Sequence, residues 1–72
     1  MYLVVKRKPD KTIGDAKIVN NIKTAEKTQR KMLSEQFEKQ NRREIILNNL
    51  KMHGRDYITN SQGEAVYIFE ME

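Results

Sequence analysis

The sequence predicts an α+β fold: a three-stranded antiparallel sheet packed on one long or kinked helix, in the order β-α(-α)-β-β. Three observations lead there. Tyr2-Leu3-Val4-Val5 is a short run of strand-forming residues. From Asp15 to Met52 there is neither proline nor glycine, and apolar side chains recur at helical spacing. After Gly54, two alternating apolar segments flank Asn60-Ser61-Gln62-Gly63, a turn-forming cluster.

The N-terminal strand runs into Lys6-Arg7-Lys8-Pro9-Asp10, where Pro9 suits the second position of a turn. Thr12 and Asp15 have the spacing of a loose capping box, which predicts a helix start near Ile13 despite Gly14. The helical stripe then includes Ile18, Val19, Ile22, Ala25, Met32, Leu33, Phe37, Ile46, Leu47 and Leu50, with polar members at Gln29, Gln36 and Gln40. Glu38 to Glu44 contains no apolar residue, so the segment is either one helix of roughly 57 Å or a pair broken within 38–44. Gly54, preceded by Lys51 and His53, marks the helical stop: glycine takes the left-handed position, and cations suit the negative end of the dipole. Asp56 to Thr59 and Glu64 to Phe69 are the hairpin strands, and the N-terminal strand is their natural third member, because two strands alone are only marginally stable.

With 72 residues the chain is a single domain, 1–72. A domain this small buries only about 60% of the surface its unfolded chain exposes. It has no cysteine and no Cys/His cluster, so oligomerisation is the remaining way to add stability, and a homodimer through the helix is expected. No apolar run approaches the ~18 residues of a membrane span. The expectation is a soluble, cytoplasmic protein with no membrane partner.

The chemistry of an enzyme is not legible. The only histidine is His53, which the helix end explains, and neither Ser34 nor Ser61 has a neighbouring base. Glu35 and Glu38 are best read as ion-pair partners of Lys31 and Lys39. Glycine-rich phosphate loops and metal-ligand spacings are missing from the sequence. The expectation is a protein with no catalytic residues, no cofactor and no metal.

Binding is what remains. Residues 1–55 carry all 14 Lys and Arg against six acids, for +8, while 56–72 carry four acids and no base, for −4. Lys27, Arg30, Lys31, Lys39, Arg42 and Arg43 recur at helical spacing and are the candidate nucleic-acid-binding residues. Strand alternation sets Tyr67 and Phe69 on one face and Val66 and Ile68 on the other. If the aliphatic face packs on the helix, Tyr57, Tyr67 and Phe69 are left for a partner, and aromatics are good interface anchors. The nearby Glu64, Glu70 and Glu72 would repel phosphate, which favours a protein partner over nucleic acid. The leading expectation is therefore a small regulator or inhibitor acting through protein–protein interaction. The alternative is a nucleic-acid-binding protein using its basic helix. For that alternative, the element order is similar to a winged-helix module without its first helix, with Arg42 to His53 for recognition and Asn60 to Gly63 as the wing tip.

Overall fold

The computed structural model describes residues 1–33 and 42–71. The fold is α+β: two helices pack against a four-stranded antiparallel sheet. The elements are β1 (Tyr2–Arg7), β2 (Ile13–Val19), α1 (Ile22–Met32), α2 (Arg43–His53), β3 (Arg55–Thr59) and β4 (Ala65–Glu70). Their order across the sheet is β2-β1-β4-β3, so the N-terminal strand lies between its own hairpin partner and the last strand.

The fourth strand corrects the sequence reading. Ile13–Val19 is not the start of a helix but the return arm of a hairpin with β1. Lys8 N–H donates to the Thr12 carbonyl at 2.8 Å and Lys11 N–H to the Lys8 carbonyl at 2.9 Å. That closes a three-residue loop over Pro9, Asp10 and Lys11, with Lys11 in the left-handed position (φ 71°). Thr12 and Asp15 do not form a capping box. Thr12 instead donates its backbone N–H and its hydroxyl to Asp10 Oδ1, at 3.0 and 2.6 Å. Those bonds hold the Asp10 carboxyl below its usual range. The strand register then shifts between Lys6 and Arg7, leaving Gly14 as the extra residue of a bulge.

The first helix starts later than predicted. Asn21 is its cap, accepting the Thr24 N–H at 2.8 Å. It ends at Met32, where Leu33 turns extended (φ −87°, ψ 142°). A single helix over 15–52 is thereby excluded: there are two helices, but the first ends at Met32, ahead of the 38–44 break that the sequence suggests. Gln36, Phe37, Gln40 and the first part of the 38–44 segment lie outside the described residues. The second helix closes as expected on Gly54, at φ 76°, whose N–H donates to the Leu50 carbonyl at 2.9 Å.

Each helix has 11 residues and so runs ~16 Å, and the described residues extend 28 Å at most. The length mismatch that called for a partner helix is absent. Val4, Val19, Ala25, Leu33, Ile46, Leu50, Val66 and Ile68 form one buried cluster between sheet and helices, edged by Tyr2, Ile22, Met32 and Ile58. Among the described residues, no helix is long and apolar enough to cross a membrane.

Candidate functional site

Both helices cover the same side of the sheet, the side that carries Val4, Val66 and Ile68. The opposite side follows from alternation and register. Across the sheet, Ile18, Leu3, Phe69 and Arg55 form one row, and Ala16, Val5, Tyr67 and Tyr57 the next. Ile13, Arg7, Ala65 and Thr59 complete a third. Among the described residues this open face is apolar apart from Arg7, Arg55, Thr59 and the tyrosine hydroxyls, and carries no carboxylate.

The rings are ordered on it. Tyr57 and Tyr67 stack with centroids 5.3 Å apart, and Tyr67 and Phe69 with centroids 6.0 Å apart. The guanidinium groups of Arg7 and Arg55 lie 5.6 and 6.0 Å from the Tyr67 centroid. Tyr67 is thus enclosed by two rings and two cations, while Tyr57 is 52% exposed. The aliphatic half is also open, with Ile18 54% and Ile13 71% exposed. Around the β3 edge the surface continues into a concavity of about 660 Å³ lined by Tyr57, Phe69, Arg55, Asn49 and His53, among others.

Comparison with protein-family models, curated proteins and solved structures finds no match to this chain.

The structure brings Tyr57, Tyr67 and Phe69 together on the open face, as alternation predicts. It adds Arg7 and Arg55, which sequence reasoning did not select, because their place beside Tyr67 depends on strand register. It also removes the predicted source of repulsion. Glu64 lies on the helix side, where Lys6 Nζ meets its carboxylate at 2.8 Å, and Glu70 alternates to the same side. Glu72 lies outside the described residues.

The basic candidates do not form one surface. Arg42 is drawn inward: Nη1 donates to Gln29 Oε1 at 2.8 Å, and Nη2 reaches Asp56 Oδ1 at 3.3 Å. Asp56, fully buried, also accepts from Gln29 Nε2 at 3.0 Å and Asn49 Nδ2 at 2.7 Å. Glu26 accepts the Arg42 backbone N–H at 2.7 Å and sits 3.8 and 3.9 Å from Arg30 and Arg43. Arg42 and Arg43 thus tie α1 to the start of α2 and to β3, while the Arg30 pair lies within α1. Of the helix residues that a winged-helix reading would use, Arg42 and Asn49 are committed to Asp56, while Asn48 and Lys51 are exposed. Lys27 and Lys31 are exposed; with Lys17, Asp15, Thr24 and Thr28 they line a shallow concavity of about 310 Å³ between β2 and α1. Lys39 lies outside the described residues.

Proposed function

We propose that this chain is a non-catalytic binding module, a regulator or inhibitor that acts through protein–protein contact by the open face of its sheet. The observation that carries this reading is the arrangement of the rings. Binding a nucleic-acid base on a sheet needs a free ring face. Here the central ring, Tyr67, is flanked by Tyr57 and Phe69 and capped by Arg7 and Arg55, which leaves the half-exposed Tyr57 as the open ring at one end of the row. The other half of the face is aliphatic, which suits side chains of a protein and not bases. Apolar area with embedded aromatics and arginines is the composition of an interface centre. The face fits a partner with an apolar strip flanked by carboxylates, which would meet Arg7 and Arg55.

The basic concavity at Lys17, Lys27 and Lys31 is the ground for the second reading, nucleic-acid binding. Two double variants separate the readings: Tyr57→Ser with Arg55→Ser on the open face, and Lys27→Glu with Lys31→Glu on α1. Immobilised chain is exposed to cell extract and, separately, to random DNA and RNA oligonucleotides across a salt series. The expected result is a defined captured protein that is lost with the open-face variant and kept with the lysine variant. Oligonucleotide retention that falls steeply with salt and vanishes on lysine reversal would overturn the proposal in favour of the second reading.

A further inference from the structure

At the other side of the sheet, β2 pairs only with β1, and its outer edge is uncovered among the described residues. Six of its seven residues are exposed, all but Val19. An edge strand presents unpaired N–H and C=O groups that can template another strand. In the single chain the exposed Ala16 N–H donates to Asp15 Oδ1 at 2.9 Å, a bond that strand pairing across this edge replaces.

We propose that β2 pairs antiparallel with β2 of a second copy of this chain, about a two-fold axis through Ala16. Register decides the pairing. When the axis stands perpendicular to the sheet, opposed residues share a face, so each central register places one residue opposite its own copy. Centring on Asp15 opposes two carboxylates, and centring on Lys17 opposes two ammonium groups. Centring on Ala16 sets each Asp15 opposite Lys17 of the second copy, twice. Like charges directly opposite destabilise a strand pair and opposite charges support it.

The same register is favoured on one further count. Ala16 is the midpoint of Ile13–Val19, so the charge match coincides with the longest overlap of the two strands, which the Gly14 bulge interrupts towards each end. The far edge offers no equivalent: pairing β3 about Tyr57 opposes Ile58 to Asp56, which is buried and already bonded. The product is a continuous eight-stranded sheet, four strands from each copy. Its two open faces lie on one side, and its helices on the other.

Sedimentation equilibrium of the full chain over micromolar concentrations tests this, with circular dichroism to check that each variant folds. The wild type is expected to shift from 8.5 kDa towards twice that mass. Asp15→Lys and Lys17→Asp each create two like-charge oppositions across the axis and should weaken the dimer at least about tenfold. An equimolar mixture of the two variants restores opposite charges at both places and should associate about as tightly as wild type. Regain of association cannot come from misfolded chains. A wild type that stays monomeric, single variants that dimerise unchanged, or a mixture that fails to associate would each overturn the proposal. None of these outcomes bears on the Tyr57 surface, which is read out separately.

Discussion

Two hairpin loops in this chain solve one geometric problem with different residues. Between β1 and β2 the loop is Pro9-Asp10-Lys11, and between β3 and β4 it is Ser61-Gln62-Gly63. In the second, Asn60 N–H donates to the Glu64 carbonyl at 3.1 Å and Gly63 N–H to the Asn60 carbonyl at 3.3 Å, matching the bonds at Lys8, Thr12 and Lys11. The left-handed residue is Gly63 in one, at φ 83°, and Lys11 in the other, at φ 71°. For a residue with a Cβ that conformation costs roughly 1–2 kcal/mol, offset in part by glycine's larger loss of chain entropy. Lys11→Gly should therefore stabilise the protein by about 0.5–1 kcal/mol, read as a higher urea midpoint at unchanged slope. A lower midpoint would mean that the Lys11 side chain contributes more than its strain costs. The same contrast explains what could be read in advance. Glycine announces the second hairpin in the sequence; at the first, Pro9 announces the turn, but a lysine in the left-handed position does not announce that the chain returns as a strand.

At the scale of elements, the sheet is asymmetric in what its faces do. Ile68 is fully buried against the helices, whereas Tyr57 on the neighbouring strand is half exposed on the open side. Ile68→Ala should cost about 2–4 kcal/mol. Tyr57→Ala should cost well under half of that, because much of its ring is already in water and only its stacking on Tyr67 is lost. Paired thermal melts check both, and equal losses would show that the open face is as structural as the core. Alternation made this division legible in the last strand, because Val66 and Ile68 are aliphatic while Tyr67 and Phe69 are aromatic. It failed at β2 for a physical reason. Ile13, Ile18 and Val19 fit a helical stripe as well as a bulged strand, and the Gly14 bulge breaks the two-residue period that would have distinguished them. Asn21 was the available signal, as a cap residue placed three before Thr24. The arginines of the open face were hidden for a different reason: Arg7 and Arg55 are 48 positions apart in sequence and meet Tyr67 only through strand pairing.

Across the whole molecule, the charges divide into those that hold the fold and those that face water, and sequence spacing alone does not distinguish them. Arg42 and Lys27 both belong to the basic helical pattern. Arg42 is mostly buried and donates to both oxygens of Asp56, a carboxylate with no exposed side-chain surface. Gln29 and Asn49 complete that carboxylate's partners from the two helices. The acidic segment 56–72 is likewise divided, since Asp56 and Glu64 are spent on Arg42 and Lys6 while Glu70 faces water. Removing one member of a buried ion pair leaves the other uncompensated, at a cost of about 3–5 kcal/mol. In a domain of this size that is a large share of the total stability. Arg42→Glu, which also sets a second carboxylate beside Asp56, should leave little folded protein at 37 °C. Lys27→Glu with Lys31→Glu changes the net charge by twice as much, yet it touches only exposed side chains and should move the melting temperature by a few degrees at most. Far-ultraviolet circular dichroism melts of the two variants decide the matter. If Arg42→Glu melts with the wild type, the buried network does not join the helices to β3, and Arg42 returns to the pool of cations free to meet a partner.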